Sequence, residues 1–281
     1  MAGVGEPSLL VRGAASPHTY ALKPSDAAAL EAADIVFWTG HGMELFLGEA
    51  LETLAADAEK IELADTPGLQ LLPVREGGAF EAHEHEETEA AHADEHDHAH
   101  EAEHSHDHEH GEGDMHFWLD PDNAKLMVGY IAEVLSEADP ENASAYSSNA
   151  EAEIAFLDTL AAEIETTVQP IRERPFLVFH DAYQYFEERF GLSVAGSVTV
   201  SPEVAPGAAR IDELRTKVSE LSATCVFAEP NFEPAIIGAI TEGTPAKSGV
   251  LDPEGGTLEE GPALYGELLR GLASALVDCL D

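Results

Sequence analysis

Ten histidines fall within 28 residues: His83, His85, His92, His96, His98, His100, His104, His106, His108 and His110. They alternate with Glu, Asp and Ala, and no Lys or Arg interrupts them. Imidazole suits borderline metal ions such as zinc. A tract this polar buries too little apolar surface to offset the entropy of ordering, so 81–114 reads as a mobile loop of weak metal sites. The plainer alternative, a solvated acidic spacer, leaves the histidine density unaccounted for. Four further histidines stand alone: His18, His41, His116 and His180. His180 ends an apolar run at 176–179, and open α/β sheets place ligands beyond the carboxyl ends of such strands. His18 lies in a loop after a strand-like segment, and His116 opens a folded segment straight after the tract. Three neutral imidazoles meeting from separate elements make a tight zinc site, with a fourth position for water or a carboxylate. Taken singly, each has an equally good structural reading. His41, between Gly40 and Gly42, reads as a loop residue.

The elements needed to bring these side chains together follow an alternating pattern. Residues 8–12 look like a short strand. Pro24 and the alanines after it open a helix, 34–39 is a buried parallel strand, 43–54 a helix and 60–63 a strand. Pro121 sits at the first turn of a helix reaching about 138. Ile154, Leu157, Leu160, Ile164 and Val168 recur every three or four residues, one face of a helix of about 28 residues. Strands at 176–179, 194–200, 225–228 and 247–251 then alternate with helices at 182–190, 210–221, 234–242 and 262–280. Strand–helix alternation on both sides of one long helix predicts an α/β protein of two parallel-sheet lobes. The divisions expected are an N-terminal lobe at 1–139, a linking helix at 140–170 and a C-terminal lobe at 171–281.

The chain of 281 residues carries 55 acidic against 13 basic residues, a formal charge of −42. Without 81–114 the balance is still 41 against 13, so the excess belongs to the folded part as well. Such a field repels nucleic acid and anionic membrane and attracts cations. No apolar run is long enough to span a bilayer, and no signal-peptide pattern opens the chain. Cys225 and Cys279 are either one bridge or two buried thiols.

Several stretches together resemble the zinc-specific substrate-binding proteins of bacterial ABC importers, the ZnuA type. They are GAASPHTYALKPSD at 13–26, ADIVFWTG at 33–40, and the acidic His tract running into MHFWLDP at 115–121. FHDAY at 179–183 with Phe186, FAEPNF at 227–232 and GVLDP at 249–253 complete the set. The resemblance spans essentially the whole chain. It implies two lobes joined by one rigid helix with zinc in the cleft between them, held by His18, His116 and His180, with Asp252 a lesser candidate. In manganese-binding relatives a glutamate takes the place of His180, so an imidazole there implies zinc. The resemblance also implies a Cys225–Cys279 disulfide, periplasmic location, a membrane permease as partner and a monomeric receptor. Some zinc relatives carry a glutamate where Pro17 stands, which leaves the fourth position to water, Asp252 or a carboxylate such as Glu44. Relatives have a signal peptide, a strand and a helix before the part matching Met1, so the first lobe is expected to be N-terminally truncated with an unpaired strand edge.

Two other classes remain to be separated from a receptor. A zinc hydrolase shares the donor set but requires a base beside the bound water, and no HExxH pattern occurs. A zinc-buffering or adhesion protein would act through the His tract itself.

Overall fold

The computed structural model describes residues 1–75, 113–199, 206–220, 225–230 and 234–281. The ten tract histidines lie outside the described residues.

Two parallel sheets flank one long helix. In the first part, α1 (Pro24–Glu31), β1 (Ile35–Trp38), α2 (Gly48–Leu54) and β2 (Glu59–Glu62) form a unit in which β1 and β2 pair in parallel, Ile35 opposite Glu59. Pro24 occupies the first turn of α1, and Asp26 folds back to accept from the Lys23 amide at 2.8 Å. Asp26, at the third helical position, thus accepts from the amide of the residue just before the helix, as in a capping box. Two expectations fail here. Residues 8–12 form no strand: Leu10 packs against the core of the first part, while Leu9 stays 49% exposed. The second helix begins at Gly48 rather than at Met43. Glu44 instead turns its carboxylate onto the amides of Thr39 and Gly40, at 3.2 and 3.1 Å, and so shapes a turn. That hydrogen bonding competes with helix at 43–47.

Asp120 caps α3 (Pro121–Ala138) by accepting from the Asp122 amide at 2.8 Å. A short 3-10 turn at Pro140–Asn142 then leads into α4 (Ala143–Val168). Leu157, Leu160, Ile164 and Val168 of α4 form a buried stripe, as the apolar spacing predicts, together with Ala161, while Ile154 is only partly buried. The stripe belongs to one continuous core that also takes in Phe117, Leu119 and Met127 from the first half and Phe176, Phe186, Phe227 and Leu272 from the second. Both halves therefore pack on the same helix, which supports a rigid connection between them.

The second sheet has the order β4-β3-β5-β6, all parallel: β3 (Phe176–His180), β4 (Val194–Thr199), β5 (Cys225–Ala228) and β6 (Lys247–Val250). All five residues of β3 are buried, as for a central parallel strand covered on both faces. The connecting helices are α5 (Gln184–Phe190), α6 (Ala208–Glu220) and α7 (Pro234–Thr241), and α8 (Leu264–Leu280) closes the chain. Gly191 ends α5 at φ 65°, a conformation that favours glycine. Cys225 on β5 and Cys279 on α8 are joined by a disulfide.

Candidate metal centre

His180 is the last residue of β3, at the carboxyl end of the sheet, and is 1% exposed. His116 precedes a 3-10 turn at Phe117–Leu119, anchored by buried Phe117 and Leu119 within it and buried Met115 before it. Trp118 ties the same turn to the C-terminal half: its indole N–H donates to the Pro253 carbonyl at 3.0 Å, and its own carbonyl accepts from Tyr265 Oη at 2.7 Å. His18 sits in a loop resting on residues 252–257. Its amide donates to Ser16 Oγ at 3.3 Å, and Ser16 Oγ donates to Glu254 Oε1 at 2.8 Å. A Cβ on Gly256 would stand 2.9 Å from the Gly13 carbonyl oxygen, so the two loops approach as only glycine allows.

These three supports bring the side chains to one point. His116 Nε2 lies 3.3 Å from His18 Nε2 and 3.2 Å from His180 Nε2. One donor atom from each of the three lies within 4.8 Å of the others, and among the described residues this is the one group of three or more His, Cys, Asp or Glu so arranged. A tetrahedral ion with bonds of about 2.0–2.1 Å needs ligand nitrogens about 3.3–3.4 Å apart. The two measured spacings match that edge.

The other ring nitrogens fix the orientation. Asp114 Oδ1 accepts from His116 Nδ1 at 2.7 Å and from the His116 amide at 3.0 Å. Glu229 places both oxygens 2.7 Å from His180 Nδ1. With the proton held at Nδ1, each Nε2 presents its lone pair to the shared point. Burial pushes the Glu229 carboxyl up to about 8, against the backbone hydrogen bond from His180 that favours the ionised form. A cation beyond the imidazole stabilises the ionised carboxylate and the Nδ1–H tautomer together. Burial likewise pushes Glu254 up to about 7, opposed by the Ser16 hydroxyl.

The remaining candidates lie elsewhere. Asp252 Oδ1 accepts from the amides of Glu254 and Gly256, at 3.3 and 3.2 Å, and Oδ2 from the Thr257 amide and hydroxyl. It folds the loop under Ser16 and is not in the three-histidine group. Glu44 is committed to the turn at Thr39–Gly40. His41 packs on Trp38, ring centroids 4.6 Å apart, and faces Glu62 at 3.3 Å. Sequence reasoning missed Asp114 and Glu229. Asp114 was hidden in the acidic tail of the tract, while the FAEPNF stretch gave Glu229 a position without a role.

A family model described as "Zinc-uptake complex component A periplasmic" matches residues 1–279. The "High-affinity zinc uptake system protein ZnuA" of Brucella suis biovar 1 is 54% identical over 290 residues, covering 100% of this chain and 87% of that protein. A solved structure described as "Crystal structure of ZnuA" aligns with a TM-score of 0.77 at 27% identity, over 98% of this chain and 90% of that one. A ZnuA deletion mutant with zinc bound aligns with a TM-score of 0.72 at 26% identity, over 98% of this chain and 89% of that one.

Proposed function

The chain belongs to the ZnuA family of zinc-uptake components, and on that premise we propose that it is a high-affinity periplasmic zinc receptor that captures Zn2+ between its lobes and delivers it to the permease of an ABC importer. The ion is cargo, held by His18, His116 and His180, and the observation that carries this is the approach of His18 and His180 Nε2 to His116 Nε2, at 3.3 and 3.2 Å. Asp114 and Glu229 orient two of the three rings and supply negative charge behind them. Glu44 and Asp252 are hydrogen-bonded within their own turns, which leaves the fourth position open to water. The lobes run over 1–139 and 171–281, with 140–170 as the rigid connector. The receptor acts as a monomer. Its charge of −42 disfavours nucleic acid and favours cations. The tract at 81–114 adds weaker sites that raise the local zinc concentration.

Isothermal titration of the full chain with zinc, beside His18→Ala, His116→Ala and His180→Ala, tests the reading. One tight site that each substitution removes, above a set of weaker sites, is the expected pattern. Retention of the tight site in His180→Ala would refute the ligand set. Many equivalent weak sites with no dominant one would make the protein a zinc buffer. Metal-dependent ester or peptide hydrolysis would make it an enzyme.

A further inference from the structure

A cavity of about 110 Å³ is lined by His18 and His116 of the three-histidine group, together with Arg75 and Asp181. Asp181 directly follows His180 at the end of β3 and is 8% exposed. It lies outside the three-histidine group whose donor atoms are within 4.8 Å of one another, yet it is a buried carboxylate next to one ligand in a cavity lined by the other two. It is held by Arg75. Arg75 Nε donates to Asp181 Oδ2 at 3.0 Å, and Nη2 donates to Asp181 Oδ1. Nη1 and Nη2 also donate to Glu187 Oε2 and Oε1 on α5, at 2.8 and 2.9 Å. One guanidinium thus engages both oxygens of two carboxylates, a geometry that lysine cannot reproduce.

The backbone carrying Arg75 is itself tied to the site. The Leu72 amide donates to Tyr185 Oη at 2.8 Å, and that hydroxyl donates to the Asp114 carbonyl at 2.7 Å. The Asp114 amide donates to the Leu72 carbonyl at 2.7 Å, beside an antiparallel bridge between Pro73 and Gly113. Arg75 is therefore anchored through the same segment that presents Asp114 to His116.

Adding oxygen donors to an imidazole site raises its coordination number and suits harder ions. We propose that Arg75 is a specificity-determining positioning residue: by engaging both oxygens of Asp181 it keeps that carboxylate out of the metal's donor set. The site is thereby held to imidazole and prefers zinc to manganese and other oxygen-seeking divalent cations. This rests on the three-histidine zinc site proposed above. Glu187 takes the other side of the fork and fixes the plane of the guanidinium, so Arg75 stays on Asp181 when an ion arrives.

The test uses the full chain with Arg75→Gln, Arg75→Lys, Asp181→Asn and the double variant Arg75→Gln/Asp181→Asn. Chelator competition gives the zinc and manganese affinities, and the visible spectrum of the Co2+-loaded protein reports coordination number. Arg75→Gln is expected to keep one tight zinc while the zinc-to-manganese affinity ratio falls by about tenfold or more, the scale on which outer residues tune metal sites. Its cobalt bands should weaken as oxygen donors join. Adding Asp181→Asn should restore both the ratio and the spectrum. An unchanged ratio and spectrum in Arg75→Gln overturns the proposal, as does a double variant as unselective as Arg75→Gln alone. Should Arg75→Gln fail to fold, Arg75→Lys decides: a lowered ratio supports the proposal and an unchanged one overturns it. No tight zinc in the unsubstituted chain would overturn the three-histidine site, and this proposal with it.

Discussion

Glu229→Gln isolates what the carboxylate behind His180 does. Glu229 is 5% exposed and places both oxygens 2.7 Å from His180 Nδ1. The amide keeps the shape but removes the charge, and its NH2 group can face Nδ1 and favour the wrong tautomer. Removing such a partner weakens metal sites by about 10–100-fold, or about 1.4–2.7 kcal/mol. That agrees with about 1.5–3 kcal/mol for one hydrogen bond to a charged group. The zinc-free protein should respond differently. Burial raises the folded-state carboxyl from 4.5 to about 8. Its stabilising contribution is thus complete below about pH 4.5 and lost as pH rises through about 8. Glu229→Gln should flatten that decline, so the variant without zinc melts no lower than the parent at pH 8. Chelator competition at pH 7.5 and melting curves with and without zinc measure both effects. Unchanged zinc affinity in Glu229→Gln would refute the reasoning, because the charge behind the imidazole would then be irrelevant.

Zinc affinity should fall steeply below about pH 6, since imidazole ordinarily titrates near 6.5 and only its neutral form binds metal; affinity measured from pH 5 to 8 checks this, and a flat profile would exclude imidazole donors. Deleting residues 83–110 should leave the tight site intact and lower the total zinc bound, as read by equilibrium dialysis. Asp252→Ala removes the four hydrogen bonds that shape the loop under Ser16. It should weaken zinc binding without changing the cobalt spectrum, whereas a changed spectrum would make Asp252 a ligand. Replacing Cys225 and Cys279 with serine opens a link spanning 54 residues and should cost about 4 kcal/mol by loop-closure entropy, measured by denaturant unfolding, with zinc stoichiometry unchanged.

Where one side of an element is buried, the sequence was legible. The stripe from Leu157 to Val168 marked α4, and the apolar run before His180 placed that side chain at the carboxyl end of a buried strand. The convergence of His18, His116 and His180 was legible only as a conjunction of motifs, because spacing along the chain says nothing of the distance between residues 98 or 64 positions apart. Residues 8–12 misled because a short apolar run carries no sign of whether a partner strand waits beside it. Met43 to Leu47 misled because Glu44 has good helix propensity, yet here its carboxylate binds the turn before it. Arg75 went unnoticed for a similar reason. Its partners Asp181 and Glu187 are more than 100 residues away, and an arginine beside an acidic tract looks like any other solvated charge.

Anomalous diffraction at the zinc edge from crystals of the zinc-loaded full chain tests the three-histidine site most directly. One dominant peak is expected about 2.0–2.1 Å from Nε2 of each of His18, His116 and His180. A dominant peak bound by fewer than these three, or lying only among the tract histidines, would contradict it.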